Sequence, residues 1–292
     1  MQQSSSSGQG SPSTAISLAA RLARVRHLAL DMDGTLYRGG TLFDFTLPFL
    51  ARLDRLGIGY TFLTNNCSRS VRDYMAHLDR LGIAAKADQI YTSSLATLAY
   101  LRSGHPDVRR VYLVGTPSLQ REFEEAGYEV TDGAEPDAVV VGFDTALTFE
   151  RLCRAAWWIK QGKLFVATHP DLVCPTDKPT VLVDCGSVCA CLERASGQSP
   201  IAVLGKPHPL MLAGILARHG LEPTELAMVG DRLYTDMAMA RAAGAIGVLV
   251  LTGESRREDL HGSAFQPDVV VESVKELGES LERARSERRS RE

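Results

Sequence analysis

Short apolar runs alternate with longer segments of helical spacing along most of the chain. The runs have the length of buried strands, and the segments between them repeat apolar residues every three or four positions. This alternation predicts an α/β protein with mostly parallel sheets. The strand-like runs cover residues 25–31, 60–64, 111–115, 137–142, 163–168, 201–205, 226–231, 245–252 and 268–271, and the helical segments cover 47–56, 71–81, 149–161, 209–219 and 235–243.

Three of the strand-like runs end in polar residues, at Asp31, Thr64 and Asp231. Open parallel sheets bind ligands outside the carboxyl ends of their strands, so we expect the chemistry at this edge. Asp31 and Asp33 lie two positions apart after the first run, and Gly34 then lets the chain turn. One carboxylate can attack phosphorus while the other moves a proton. An oxygen-only site with phosphate nearby also suits Mg²⁺.

Composition narrows the classes of protein to consider. The 292 residues are 45% hydrophobic and 23% charged, which is typical of globular proteins and excludes disordered and fibrous classes. The formal net charge of -3 lacks the basic excess of a nucleic-acid binder. No apolar stretch is long enough to span a bilayer, so we expect no membrane partner. The first residues lack a secretory signal, so we expect a cytoplasmic protein with reduced cysteines.

The stretch DMDGTL at residues 31–36 resembles the first motif of the haloacid dehalogenase (HAD) superfamily of phosphohydrolases. The other three motifs follow in order, with Thr64 in FLTNN, Lys206 in GKPHP, and Asp231 in GDRLYTD. Each match alone is weak, but four in order, each after an apolar strand, form a specific pattern. The stretches LYRGG, ATHPD and GKPHPLM are similar to the NagD type, also called the 4-nitrophenylphosphatase or phosphoglycolate and pyridoxal phosphatase-like group.

The resemblance implies a Rossmann-like core with a large inserted α/β cap domain. The interval between Thr64 and Lys206 agrees, because it is far longer than one crossover between parallel strands requires. We expect the core at residues 25–96 and 199–278 and the cap at 97–198. Residues 1–24 and 279–292 are then a flexible and a charged tail.

The resemblance also implies a role for each matching residue. Asp31 is the nucleophile that forms an aspartyl phosphate, and Asp33 is the general acid and base. Mg²⁺ is expected on Asp31, Asp33 and Asp231, with Asp236 supporting the site from behind. The residues expected to bind the phosphate or the rest of the substrate are Gly34, Thr64, Asn65, Asn66, Lys206 and His169.

The cap is where the sequence departs from the pattern. Relatives usually carry Asn where His169 stands, and Asp184 lies in a stretch that differs from theirs. His169 is either a contact to a substrate phosphate or base, or a hydrogen-bonded loop residue, and the role of Asp184 is equally open. Of the aromatic pair Trp157 and Trp158, one must face away from the buried stripe of its helix, which points to a homodimer through the cap.

The spacing of the cap cysteines lacks the paired CxxC signature of structural zinc, so we interpret them as small core residues. They are Cys153, Cys174, Cys185, Cys189 and Cys191.

These observations predict a Mg²⁺-dependent phosphatase that hydrolyses small phosphorylated metabolites. The substrate class stays open between nucleotide, sugar, glycolate, glycerol and pyridoxal phosphates. A phosphomutase is less compatible, because its cap usually lies between the first two motifs. A dehalogenase is disfavoured by Asp33, since a halide needs no proton donor to leave. The alternative from another class is a catalytically silent protein that binds a phosphometabolite.

Overall fold

A six-stranded parallel sheet carries the predicted motifs. The computed structural model describes residues 17–174 and 179–290. With strands numbered along the chain, the order in this first sheet is β15-β14-β13-β1-β4-β5, and every neighbouring pair is parallel. Its strands are β1 (His27–Asp31), β4 (Gly59–Thr64), β5 (Ile90–Thr92), β13 (Leu226–Gly230), β14 (Ile246–Val250) and β15 (Val269–Val271).

A second parallel sheet forms in the middle of the chain, in the order β12-β9-β8-β6-β7. Two short antiparallel pairs, β2 with β3 and β10 with β11, complete the described strands. The strands of the second sheet are β6 (Arg110–Val114), β7 (Glu129–Val130), β8 (Ala138–Val141), β9 (Leu164–Ala167) and β12 (Ala202–Val203). The short pairs are β2 (Tyr37–Arg38), β3 (Thr41–Leu42), β10 (Val173–Cys174) and β11 (Leu182–Val183).

Helices cover both faces of each sheet, as the prediction of an α/β fold requires. Within the described chain, none of them combines the length and the apolar character that a bilayer-spanning helix needs. They are α1 (Leu18–Leu22), α2 (Thr46–Leu56), α3 (Val71–Arg80), α4 (Ser93–Gly104), α5 (Pro117–Glu125), α6 (Phe149–Lys160), α7 (Cys185–Ser196), α8 (Leu210–His219), α9 (Ala238–Ala243) and α10 (Val274–Arg289).

The strands are buried on both faces, which explains their continuous apolar runs. In β1, Leu28 and Leu30 pack into one cluster with Phe49, whereas Ala29 packs into another with Met211. Successive side chains point to opposite faces of a strand, so β1 joins two hydrophobic layers. The strands of the second sheet divide their side chains between two further clusters in the same way.

The predicted limits of the cap need correction at its carboxyl end. Ala202–Val203 pairs in parallel with β9, so the second sheet continues past residue 198 into the segment that was expected to belong to the core. Apolar periodicity does not show which sheet a two-residue strand joins, because that depends on its hydrogen-bond partner. The loop that carries Lys206 therefore follows the last strand of the cap sheet.

The predicted tails are wrong where the structure describes them. Residues 1–16 and 291–292 lie outside the described residues, but Leu18–Leu22 is a helix that Ser17 caps, with Leu22 buried. The expected charged tail after residue 278 is instead most of α10, which packs against α1 and α2. Charged residues dominate its sequence, yet Leu281 and Ala284 form a buried stripe at helical spacing.

Replacing Leu281 by alanine tests whether α10 is an integral part of the fold. Leu281 is fully buried in the hydrophobic cluster that includes β1. We expect L281A to lower the free energy of unfolding by about 3 kcal/mol, because it leaves a cavity in a packed core. Urea denaturation measures this loss, with R283A as the exposed control on the same helix. Equal stability of the two variants would mean that α10 does not pack as described.

Candidate active site

The loops after β1, β4 and β13 meet at the carboxyl edge of the first sheet. β1 lies between the other two strands, with Asp31 in register with Leu63 of β4 and Leu30 with Val229 of β13. Because all three strands are parallel, their last residues reach the same edge. The polar residues that end these strands are thereby brought together.

Asp31 is buried at the centre of this edge and both of its carboxylate oxygens are occupied. The Thr35 hydroxyl donates a hydrogen bond to Oδ2 at 3.1 Å, and the Lys206 ammonium contacts Oδ1. Asp33 differs from it in being exposed, and its Oδ1 accepts a hydrogen bond from the backbone N–H of Gly39 at 3.3 Å. The two carboxylates therefore have the two environments that a nucleophile and a mobile proton carrier need.

Lys206 joins Asp31 to Asp236, whose Oδ1 lies 2.8 Å from the ammonium nitrogen. Burial alone would lower the pKa of Lys206, but the neighbouring carboxylates of Asp236 and Asp31 raise it above its ordinary value. The side chain therefore stays charged at any physiological pH.

Three carboxylates form a cluster beside this ion pair. Asp31, Asp231 and Asp236 each bring an oxygen within 4.8 Å of the others. Oδ2 of Asp231 accepts a hydrogen bond from the Glu254 N–H at 2.7 Å, but its buried Oδ1 has no hydrogen-bond partner in the described residues. Burial and the two neighbouring carboxylates raise the pKa of Asp231. Excess negative charge and an unpartnered buried oxygen fit a cation with oxygen ligands.

Two glycines enclose the Asp231 carboxylate. A Cβ on Gly253 would lie 1.8 Å from its Oδ2, and a Cβ on Gly34 would lie 2.5 Å from the same atom. Gly34 also has a φ of +86°, which L side chains rarely adopt. The Gly34 N–H donates to the Tyr37 carbonyl at 2.8 Å, and its contact with a phosphate stays a prediction. In the structure, Gly34 lets the backbone pass close to the Asp231 carboxylate.

The end of β4 and the loop after it carry Thr64, Asn65 and Asn66, and their side chains make hydrogen bonds within the protein. The Thr64 hydroxyl oxygen accepts a hydrogen bond from the Asn66 N–H at 3.2 Å, and the same hydroxyl group also interacts with the Tyr74 hydroxyl. Oδ1 of Asn66 instead accepts from the backbone and hydroxyl of Ser68. The Asn66 Nδ2 lies 3.9 Å from the Cys174 sulfur of the cap, and a substrate contact of this side chain stays a prediction.

The Asn65 side chain acts as a clamp between loops. Its amide group donates to the Lys206 carbonyl at 3.0 Å, and its Oδ1 accepts from the Lys206 N–H. The same amide reaches Asp171 of the cap at 3.2 Å. Gly205 makes room for this arrangement, since a Cβ there would lie 2.8 Å from the Asn65 oxygen. Asn65 therefore fixes Lys206 relative to Thr64.

Proteins of similar sequence are hydrolases and phosphatases, in agreement with the geometry of this site. A sequence model for haloacid dehalogenase-like hydrolases matches residues 28–129, and a HAD-hydrolase-like model matches residues 203–277. The acid sugar phosphatase of Staphylococcus aureus is 31% identical over 252 residues, which cover 86% of this chain and 95% of that protein. The chain belongs to the haloacid dehalogenase-like hydrolases, in the NagD-like group of phosphatases.

Solved structures of this family superimpose on the chain over most of its length. The 4-nitrophenylphosphatase of Thermotoga maritima is 38% identical with a TM-score of 0.85, covering 89% of this chain and 99% of its own. The glycerol phosphate phosphatase of Mycobacterium tuberculosis in complex with magnesium is 31% identical with a TM-score of 0.79, covering 89% and 77%. The predicted α/β fold and the predicted phosphatase class are thus confirmed.

His169 is the clearest departure of this NagD-like chain from the substrate contacts that were predicted. Its side chain is fully buried, so the structure gives it no surface on which a substrate could lie. Its ring nitrogens lie 2.8 Å from the Thr168 hydroxyl and 2.9 Å from Oδ1 of Asp184. The alternative, a hydrogen-bonded loop residue, describes it correctly.

The ion pair of His169 with Asp184 stabilises the cap where it meets the core. Burial alone would lower the pKa of His169, but the charge of Cys185 and the hydrogen bond that the imidazole donates to Asp184 raise it well above its usual value. Burial also raises the pKa of the Cys185 thiol. The carboxylate of Asp184 favours the charged form of the imidazole, because an opposite charge within hydrogen-bond distance stabilises it.

Some residues of the site belong to none of the four sequence motifs. Asp171 reaches Asn65 from the cap, and Glu254 supplies the backbone N–H to Asp231. Gly253 follows a strand as many glycines do, and only its contact with the carboxylate shows its importance. Cys185 and Cys189 are buried thiols, in agreement with their interpretation as core residues, and Cys174 is partly buried. That interpretation is wrong for Cys153 and Cys191, which are exposed.

Replacing Gly253 by alanine tests the packing around Asp231. The new methyl group would occupy the position of a carboxylate oxygen, so Asp231 must move. We expect kcat/KM for 4-nitrophenyl phosphate to fall by about 10- to 100-fold. G40A is the control, because no atom lies within 4 Å of the Cβ it would add. Equal activity of both variants would show that Asp231 tolerates displacement.

The variant H169N tests the charge of the buried imidazole. A raised pKa in the folded state means that the ion pair contributes fully below the ordinary His pKa of about 6.5 and is lost as pH rises through the raised value. We expect the difference in free energy of unfolding between wild type and H169N to be largest near pH 6. Denaturant titrations from pH 6 to pH 10 measure it, and a difference that grows with pH would contradict the assignment.

Proposed function

We propose that this chain is a Mg²⁺-dependent phosphatase that hydrolyses small phosphate monoesters through a phosphorylated Asp31. The observation that carries the proposal is the grouping of Asp31 with Lys206 and a buried carboxylate cluster at one sheet edge. The names of the relatives agree with this proposal, since they are an acid sugar phosphatase, a 4-nitrophenylphosphatase and a glycerol phosphate phosphatase.

Asp31 is the proposed nucleophile. Thr35 and Lys206 hold its carboxylate in one orientation at the end of β1. One oxygen attacks phosphorus in line, the bond between phosphorus and the leaving oxygen breaks, and an aspartyl phosphate forms. Binding of the phosphoryl group lets Lys206 exchange part of its contact with Asp31 for a contact with the phosphate.

Asp33 is the proposed proton carrier. It gives a proton to the leaving alcohol oxygen in the first step and takes one from water in the second. That water attacks phosphorus, the bond to the Asp31 oxygen breaks, and inorganic phosphate is released. The exposure of Asp33 supports this role, because its side chain faces the solvent side from which the substrate and then the attacking water arrive.

The carboxylates of Asp31 and Asp231 and the backbone carbonyl of Asp33 would hold the magnesium ion. When bound, it offsets the repulsion between these carboxylates and the phosphate dianion. The unpartnered Oδ1 of Asp231 supports this donor set. Asp236 stabilises the site from behind by fixing Lys206, and its backbone partner is the Arg232 N–H at 3.1 Å.

Lys206 and Thr64 are proposed to stabilise the charge on the transferring phosphoryl group. The loop clamp of Asn65 keeps the backbones of their two loops in register, so both donors are positioned before the substrate binds. The rest of the substrate would lie between the core and the cap, near Asp171. We propose small phosphorylated metabolites of the sugar, glycerol, glycolate, nucleotide or pyridoxal type.

Two further features of the proposed enzyme rest on single observations. Trp157 on α6 is 56% exposed, whereas Trp158 packs against the cap core, and this supports a homodimer through the cap. Buried free thiols such as Cys185 support a reducing, cytoplasmic location.

Release of inorganic phosphate from a panel of phosphate monoesters tests the function. We expect release with Mg²⁺, none with chelator, and release at background for D31N, which keeps the shape but removes the nucleophile. Circular dichroism confirms that D31N is folded. An active D31N would contradict the mechanism. Binding of phosphometabolites without any release would instead indicate the silent binder, and chloride release from haloacids a dehalogenase.

A further inference from the structure

Five arginines converge on a groove at the end of the first sheet opposite the catalytic edge. Two of them precede β1 in the chain, and the other three lie on the last turns of α10. We call this feature the arginine groove. It encloses about 460 Å³ and is lined by Ala23, Arg24, Arg26, Glu225, Arg285, Arg288 and Arg289.

Positively charged side chains outnumber carboxylates in the described lining of the arginine groove. Glu225 is the one carboxylate among these lining residues and lies 3.3 Å from Arg26. Arg24 donates to the neutral hydroxyl of Thr224 at 3.4 Å, and its charge also acts on Glu225. Burial and the charges of Arg289 and Arg288 lower the pKa of Arg285, which shows that these guanidinium groups repel each other. An anion would relieve this repulsion.

Arg285 is the lining residue whose orientation in the arginine groove is fixed by hydrogen bonds to the backbone. Its guanidinium donates to the backbone carbonyls of Leu56 and Val25, so its orientation is set by the fold. Its buried Nε has no partner in the part of the chain that the structure describes. Arg24 and Arg289 are exposed at the rim and have the freedom to close over a ligand. Guanidinium forks match the oxygens of phosphate groups in geometry and charge.

The arginine groove is separate from the catalytic site. Arg26 directly precedes β1, and Asp31 is the last residue of that strand. At about 3.3 Å per residue, the two ends of the strand are on the order of 15 Å apart. A ligand in the groove therefore does not occupy the site of phosphoryl transfer.

We propose that the arginine groove binds a small anion with two or more linked phosphate groups. The positive charge of several guanidinium groups around one cavity is more than a single phosphate dianion offsets. A chain of linked phosphates carries more negative charge and more oxygens that accept hydrogen bonds. The inference goes beyond the proposed phosphatase activity, because the ligand is not hydrolysed there. An inorganic polyphosphate and the phosphate chain of a nucleotide share this chemistry.

Calorimetric titration of the full-length protein with inorganic tripolyphosphate, in the presence of chelator, tests the proposal. We expect one-to-one binding that weakens at least about tenfold in the double variant R24Q/R289Q, because two charged hydrogen-bond donors are lost. R283Q is the matched control, since Arg283 is exposed on α10 but does not line the groove. Hydrolysis of 4-nitrophenyl phosphate should be unchanged in both variants.

A parallel titration with adenosine triphosphate distinguishes the sources of the phosphate chain. Equal affinity assigns the groove to the phosphates alone, and tighter binding assigns it to a nucleotide. The proposal is overturned if tripolyphosphate does not bind, if R24Q/R289Q binds it as tightly as wild type, or if orthophosphate binds equally well. Arginine-dependent sedimentation with phosphatidylglycerol vesicles, without tripolyphosphate binding, would assign the groove to a membrane surface and overturn the small ligand.

Discussion

The charge balance at the end of β1 is the constraint on which the rest of the active site depends. Three carboxylates approach within 4.8 Å in a largely buried place, and the ammonium of Lys206 contacts two of them. Burial and mutual repulsion penalise their ionised forms, as the raised pKa values of Asp231 and Asp236 show. One lysine does not neutralise three carboxylates, so the geometry favours a second cation.

The charge balance around Asp31 depends on both domains, because contacts from the cap and from the core position Lys206. The loop that carries it follows β12, which pairs with β9 of the cap sheet, and the Leu204 N–H donates to the Ala167 carbonyl at 2.9 Å. From the core, Asn65 holds the same loop through both backbone groups of Lys206. The cap and the loop after β4 are thus joined at the residue whose ammonium contacts Asp31.

Much of the fold followed from pattern alone, and the failures have identifiable physical causes. Strands buried on both faces give uninterrupted apolar runs, so β1, β4 and β13 were predicted closely. The last helix was missed because its charged residues outnumber its buried ones, and only packing against α2 identifies the stripe that contains Leu281. The boundary between cap and core was misplaced at β12, because the two apolar residues of this strand do not show which strand they pair with.

The sequence by itself determined the phosphatase class of this protein, because four motifs in a fixed order are specific to one family. The identity and order of Asp31, Thr64, Lys206 and Asp231 follow from the sequence. The tertiary structure alone decided which polar side chains are held by contacts within the protein. The hydrogen-bonding groups of Asn65 and His169 suit a ligand and a protein partner equally, so only the long-range contacts with Lys206 and Asp184 show what they bind in the folded chain.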